Sequence, residues 1–231
     1  MINVERRSLL KGMAVGGLAG VAMGSGSVSM ANTLLGRAAP THPANLAIVS
    51  AEVASSAFVQ GLQASPAAPT VDVMPVGLDL TMLLNLQQRL ASGQPQRLIG
   101  LLDDASAALI VDLARSAGAR VQWLGQHSAS AGHSRHRLLS AQSTHGCALQ
   151  LGHQLNACGQ GFDLHEQRLH SPAPTLQLAT AKRQRAGHDQ WAATLGYALA
   201  TLGSTDTGSA PLAADFPRVL TGTYVSFSIQ V

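Results

Sequence analysis

The segment Arg97–His127 constrains the fold most strongly, because it contains a complete strand-helix-strand pattern. The apolar run Arg97–Leu102 predicts a buried strand. Asp103–Asp104 mark the start of a helix that ends at Gly118, and Ala119–Leu124 predicts the next strand. Two strands joined by a helix in this order favour a parallel pair with a right-handed crossover, and therefore an α/β fold.

Two similar units precede this segment and extend the same pattern. The first has a short apolar strand, Leu46–Val49, followed by Ser50 as a predicted helix N-cap. The second has a strand at Thr70–Met74 and a helix at Asp79–Ser92, ended by Gly93. Four leucines of that helix are predicted to be buried, namely Leu80, Leu83, Leu84 and Leu90. We therefore predict an open, mostly parallel, Rossmann-like sheet with helices on both faces.

Beyond Gln126 the regular alternation of predicted strands and helices ends. Residues 126–143 are rich in Ser, Gly and His without an apolar period, which predicts a long, mobile, His-rich loop. Three short alternating runs predict antiparallel strands, although the first also fits a helix; they are Cys147–Leu151, Phe162–Glu166 and Thr175–Leu178. A helix is predicted to begin at His188–Asp189, and the strictly alternating segment Val219–Val231 predicts a terminal antiparallel strand at a sheet edge.

The domain organisation follows from length and composition. The chain has 231 residues, 46% of them hydrophobic, which predicts one α/β domain at residues 45–231 after a flexible leader at residues 32–44. Aromatic residues make up only 3%, so nucleic-acid binding by base stacking is disfavoured. Trp123 and Trp191 are predicted to pack in the core or at a sheet edge rather than to bind a ligand.

The first 31 residues have the organisation of an export signal. Arg6 and Arg7 lie in a basic region, a glycine-rich apolar stretch follows, and the segment ends in Ser29-Met30-Ala31. It resembles a bacterial twin-arginine (Tat) signal peptide with cleavage after Ala31. The resemblance implies recognition by the Tat export machinery and a periplasmic location. A Sec signal and an uncleaved anchor are the alternatives, and the glycines disfavour a stable membrane span.

The charge balance does not indicate a polyanionic partner. The formal net charge of the whole chain is +3, but Arg6, Arg7 and Lys11 lie in the predicted signal segment. Their removal leaves a nearly neutral chain, which argues against nucleic-acid binding through a basic surface.

The two cysteines, Cys147 and Cys158, are predicted to form one disulfide in an exported chain. The bridge requires a turn between them. If both lay on a single helix, their Cα atoms would be about 16 Å apart, which is beyond bridging distance.

Candidate chemistry is expected at the carboxyl ends of the parallel strands, where ligands bind in open α/β sheets. Asp103 and Asp104 follow the third strand, His127 follows the fourth and Ser50 follows the first. These four residues are the candidate acid/base or metal-assisted site. The alternative for the two aspartates is simple helix capping.

Eight of the nine histidines lie between His127 and His188. His127, His133 and His136 are the candidate metal ligands, with zinc or copper as the ion that suits imidazole. The alternative is a set of solvated histidines in a polar loop, since no H-E-x-x-H or C-x-x-C motif is present.

Three functions remain open after these observations. The first is a periplasmic accessory or binding protein for a small ligand or metal, with a redox enzyme of the same compartment as a candidate partner. The second is a periplasmic enzyme that uses the Asp/His site, and the third is a protein-interaction module without a small-molecule site. Glycine-rich phosphate-binding motifs and the G-x-S-x-G nucleophile motif are absent after residue 31, which disfavours nucleotide binding and serine hydrolysis.

Overall fold

The computed structural model describes residues 44–77, 79–130, 132–141, 144, 146–169, 175–181, 189–204, 208–213 and 219–231. The predicted signal segment, residues 1–31, lies outside this part of the chain. So does the predicted leader, apart from Ala44, which is the first residue of a strand.

The described residues form eight strands and six helices. The strands are β1 Ala44–Ser50, β2 Val71–Val76, β3 Gln96–Leu102, β4 Arg120–Ser130, β5 His133–Ser140, β6 Gly161–Arg168, β7 Leu176–Thr180 and β8 Gly222–Gln230. The helices are α1 Ala51–Ala54, α2 Ala57–Gln63, α3 Leu80–Ala91, α4 Asp104–Ser116, α5 Cys147–Ala157 and α6 Gln190–Ala200. The predicted α/β class is confirmed.

All eight strands belong to one mixed sheet in the order β2-β1-β3-β8-β4-β5-β6-β7. Strands β2, β1 and β3 are parallel, as predicted for the first three units. Beyond β3 the sheet differs from the prediction, because β8 is antiparallel to β3 and β4, and β4 with β5 and β6 with β7 are antiparallel pairs. Only β5 and β6 add a further parallel pair. The sheet is therefore mixed rather than mostly parallel.

Strand β8 is antiparallel as predicted, but it lies in the centre of the sheet and not at an edge. Val225, Phe227 and Ile229 point to one face as the alternation predicted, and the intervening Ser226 and Ser228 are equally buried on the other. Alternation of apolar and small polar residues is typical of an exposed strand, so the pattern does not reveal that helices cover both faces.

The prediction of a loop at residues 126–143 is wrong. These residues belong mostly to the antiparallel hairpin of β4 and β5, in which His127 is opposite His136. Gly132, at φ 83°, adopts the left-handed conformation in the turn. The apolar period is missing because the inward-pointing side chains are histidines and serines that satisfy one another by hydrogen bonds.

Helices cover both faces of the sheet, as predicted. Apolar side chains of α1, α2, α5 and α6 pack on the first face, and those of α3 and α4 pack on the second. Helix α6 is buried nearly all round and is in contact with both α2 and α5. Its contact with α2 requires glycine at two positions: a Cβ at Gly61 would lie 2.0 Å from Ala193 O, and one at Gly196 would lie 2.1 Å from Phe58 O.

The leucines that α3 buries differ in part from those predicted to be buried. Leu90 is buried and Leu83 packs against the same cluster, together with Leu86. Leu80 and Leu84 are 71% and 55% exposed, so their predicted burial is wrong. Among the described helices, none has both the length and the apolar character needed to cross a membrane.

Candidate functional site

Asp103 is the N-cap of α4, and both of its carboxylate oxygens are used in that role. Its Oδ1 accepts a hydrogen bond from Ser106 N at 3.0 Å, and its Oδ2 accepts one from Ser106 Oγ at 2.5 Å. These bonds to Ser106 lower the pKa of Asp103, the side-chain bond being the larger cause. Asp104 lies in the first turn of α4 and is exposed. Asp103 therefore acts as a helix cap, which was the alternative to a catalytic role.

Ser50 occupies the N-cap position of α1, but its side chain makes no capping hydrogen bond. Its Oγ is buried without a hydrogen-bond partner among the described residues. No hydrogen bond or ion pair joins any two of Ser50, Asp103, Asp104 and His127. The predicted site at the carboxyl ends is therefore not linked by hydrogen bonds.

His127 lies in a buried hydrogen-bonded network on the first face of the sheet. Its Nδ1 is 2.7 Å from His136 Nδ1, and its Nε2 is 2.7 Å from Ser226 Oγ. Ser226 Oγ also accepts a hydrogen bond from Trp123 Nε1 at 3.1 Å, and His136 Nε2 is 2.9 Å from Ser134 Oγ. Both histidines are at most 1% exposed. Neither imidazole is accessible to a substrate.

Burial keeps both imidazoles neutral. Burial, and then the neighbouring His136, hold the pKa of His127 well below its usual range. Burial lowers the pKa of His136 to about 3, with a further contribution from His133. In the Nδ1 to Nδ1 bond one neutral ring donates and the other accepts, so opposite tautomers satisfy every ring nitrogen. Trp191 stacks on His127 with ring centroids 5.8 Å apart, which confirms its predicted place in the core.

The three candidate metal ligands do not converge. His133 lies at the start of β5, on the opposite face from His136, and its Nε2 is 3.1 Å from Asp163 Oδ2. Within the residues that the structure describes, no group of three or more His, Cys, Asp or Glu side chains is arranged to hold a metal ion. Four other histidines lie outside the described residues, namely His42, His145, His170 and His188.

The predicted disulfide does not form, because both cysteines belong to one helix. Cys147 is the first residue of α5 and Cys158 is its C-cap, and both thiols are free. Eleven residues along a helix separate the two Cα atoms by about 16 Å, beyond the reach of a bridge. Burial raises the pKa of both thiols.

The second face of the sheet carries a line of polar side chains that sequence analysis did not predict. Across neighbouring strands, Val225 is paired with Gln126, Gln126 with Arg137, Arg137 with His165, and His165 with Gln177. We call Gln126, Arg137, His165 and Gln177 the polar row. Its four side chains are exposed, and at the usual strand spacing it extends over about 14 Å.

A groove lies between α4 and the polar row. Ala107, Ala108 and Val111 of α4 form its wall, while the sheet contributes the polar row and an apolar floor of Leu124, Leu139 and Val225. Asp104 lies at the start of the wall. The volume of this α4 groove is about 640 Å³, which is within the range of small-molecule sites.

The polar row differs from the next line of residues on the same face. There, Asp163 Oδ2 is 3.1 Å from His133 Nε2 and 3.7 Å from Arg135 Nε, so the charges compensate one another. Within the described residues, no hydrogen bond or ion pair engages the side chains of the polar row. An exposed guanidinium without a partner, beside an apolar floor, is available to a ligand.

Sequence analysis missed this site because it treated residues 126–143 as a loop. Two alternating patterns predict it in retrospect: Leu124, Gln126 and Ser128 point to one face of β4, and Arg135 and Arg137 point to one face of β5. Asp104 is the one candidate from the sequence that lines the groove.

The chain was compared with models of protein families, with curated proteins and with solved structures, and none of the three comparisons finds a match.

Proposed function

We propose that this chain is an exported, periplasmic accessory protein that binds a small ligand in the α4 groove. The observation that carries the proposal is the polar row, whose side chains have no partner among the described residues although they border an apolar floor. Exposed polar side chains in a convex or flat surface are hydrated. Here they line a concave site beside apolar surface, which is the composition typical of a ligand pocket.

The shape of the groove supports a ligand of moderate size. Small side chains on α4, Ala107 and Ala108, leave space above Leu124 and Leu139. Larger side chains at these positions would fill the space between the helix and the sheet, as they do in the buried parts of the core.

The periplasmic location depends on the resemblance of residues 1–31 to a Tat signal peptide. Tat substrates cross the membrane folded, so a rigid α/β domain with a preformed groove is suited to that route. An accessory role beside a redox enzyme of the same compartment remains part of the proposal, and its test is the identity of co-purifying proteins.

An enzymatic function is the second candidate, favoured by one observation. Asp104 and His165 both line the α4 groove, so it contains a carboxylate and an imidazole that can exchange protons with a bound substrate. Of the four candidates that the sequence predicted, Ser50, Asp103, Asp104 and His127, this pair retains Asp104 alone.

The test of ligand binding compares two tryptophan substitutions on α4. Val111→Trp fills the groove, whereas Leu109→Trp adds the same ring at a position that is 45% exposed and does not line it. Both variants and the parent are screened against a panel of small anions, cations and neutral amphiphiles by thermal shift and by native mass spectrometry. We expect Val111→Trp to abolish binding and Leu109→Trp to retain it. Equal binding by both variants would place the ligand elsewhere.

A further inference from the structure

We infer that the ligand of the α4 groove is an organic monocarboxylate with an apolar body, whose carboxylate is bound by Arg137. The inference rests on the proposed function and specifies its ligand class. Its evidence is a comparison of two arginines on the same strand, together with the charges around them.

Arg135 and Arg137 lie two residues apart on β5 and point to the same face. Arg135 Nε is 3.7 Å from the carboxylate of Asp163, whereas Arg137 has no acidic partner among the described residues. The guanidinium of Arg137 therefore keeps its planar set of donors free, and that geometry matches the two oxygens of a carboxylate. The difference between the two residues indicates that the anion for Arg137 comes from outside the chain.

The neighbours of Arg137 in the polar row complete the recognition of a carboxylate. Gln126 on β4 and His165 on β6 are its register partners, so both side chains can reach a group bound to the guanidinium. An amide N–H and an imidazole N–H each donate one hydrogen bond. Together, these two side chains supply donors for the carboxylate lone pairs that a bidentate contact with Arg137 leaves unpaired.

The charged residues that line the groove favour a ligand with a single negative charge. Asp104 lines the same cavity at the N-terminus of α4, where its carboxylate disfavours a dianion such as a phosphate monoester. Glu166 also borders the groove, but its carboxylate accepts a hydrogen bond from Ser140 Oγ at 2.5 Å and is buried. With Arg137 as the one arginine among the lining residues, a dianion meets more repulsion from Asp104 than a monoanion does.

The remaining lining is apolar and accommodates the body of the ligand. Ala108 and Val111 on α4 face Leu124 and Leu139 on the sheet. Burying an aliphatic chain between them stabilises the complex by about 25 cal/mol for each Å² removed from water. A free carboxylic acid and the C-terminus of an apolar peptide both provide this combination.

The experiment uses the full chain and four probes that share an eight-carbon chain: octanoate, 1-octanol, octyl phosphate and octylamine. Binding is measured by isothermal titration calorimetry at pH 7.5 for the parent, Arg137→Gln and Arg135→Gln. We expect octanoate to bind most tightly, Arg137→Gln to weaken it at least about tenfold, and Arg135→Gln to change it less than about threefold. A short apolar peptide with a free C-terminus, compared with its amidated form, distinguishes a peptide ligand from a free acid.

Three outcomes would overturn the inference. If 1-octanol or octylamine binds as tightly as octanoate, and Val111→Trp abolishes that binding, the groove binds ligands but does not select carboxylates. If Arg137→Gln and Arg135→Gln weaken octanoate equally, Arg137 does not hold the carboxylate. If no probe and no member of the wider panel binds, the proposed function fails together with the inference.

Discussion

His127 and His136 face each other across the β4–β5 hairpin, with their Nδ1 atoms 2.7 Å apart and both rings buried. In a single sequence they look like two members of a histidine-rich loop and like candidate metal ligands. In the fold they are a hydrogen-bonded pair in the core, held between Ser226 and Ser134.

The histidine pair makes stability depend on pH. The folded pKa values lie below the ordinary value of 6.5, so the unfolded chain binds protons that the folded chain excludes. Stability is therefore complete above about pH 6.5 and falls as the pH decreases towards the folded pKa values, and His136 alone contributes a loss of about 2 kcal/mol at pH 5. Urea unfolding at pH 7.5, 6 and 5 measures the effect.

A matched pair of variants tests the origin of that pH dependence. His136→Gln should lower stability at pH 7.5 and flatten its decline between pH 7.5 and 5, whereas the exposed His153→Gln should change neither. If the unfolding free energy of His136→Gln still declines as steeply between pH 7.5 and 5, other groups cause the acid sensitivity.

The contact between α2 and α6 predicts a large effect of one added methyl group. A Cβ at Gly196 would lie 2.1 Å from Phe58 O, which is backbone and cannot rotate away. We expect Gly196→Ala to lower the free energy of unfolding by about 3 kcal/mol, even though alanine favours helix formation. Gly77→Ala is the control, since no atom lies within 4 Å of that Cβ. Equal stability of the two variants would contradict the close approach of α2 and α6.

The capping role of Asp103 predicts an effect on stability and none on binding. Asp103→Ala should lower the free energy of unfolding by about 1 kcal/mol, as is typical for loss of an N-cap. Asp79→Ala, at the N-cap of α3, should have a similar effect. Calorimetric titration with octanoate tests whether binding is unchanged. A larger loss of octanoate affinity in Asp103→Ala than in Asp79→Ala would assign Asp103 to the α4 groove.

The two cysteines should remain reduced without forming an internal bridge. We expect a thiol reagent to titrate two thiols per chain after unfolding under non-reducing conditions, because Cys147 and Cys158 are on one helix. In the folded protein the reaction should be slow at pH 7, since burial raises both pKa values. A mass lower by two hydrogens in the non-reduced chain would indicate an internal disulfide.

Export is tested through Arg6 and Arg7. Replacing both with lysine should retain the full chain in the cytoplasm of a bacterial host with an active Tat pathway, because that pathway requires the paired arginines. Cell fractionation with detection of the chain measures the result. The parent, and a variant in which Lys11 alone becomes arginine, should reach the periplasm. Periplasmic accumulation of the double-lysine variant would favour a Sec signal.

The predictions from sequence succeeded where the determining interactions are local. Helix α3 lies within its predicted bounds, Asp79–Ser92, and α4 begins after Asp103. Gly93 and Gly118, at φ 67° and 85°, adopt the left-handed conformation just after these helices. Each of these features depends on hydrogen bonds between residues three or four apart, which the order of residues already specifies.

The candidate site was harder to predict, because it depends on strands that are distant in the chain. Asp104 was a candidate at the carboxyl end of β3, and it lines the α4 groove. Arg137 and His165 were not, since their significance arises only when β5 and β6 pair side by side. His127 was predicted to lie in a polar loop as a candidate site residue, because a buried imidazole and an exposed one are identical in sequence.

Local order thus established the α/β class, the three parallel strands β2, β1 and β3, and the boundaries of α3 and α4, since these follow from short-range hydrogen bonds and apolar periodicity. Tertiary pairing established everything that depends on neighbours: β8 in the centre of the sheet, the burial of His127 against His136, and the alignment of Arg137 with His165 beside α4. The physical reason is that a strand's alternation specifies which side chains share a face. It does not specify which strand, helix or solvent that face will meet.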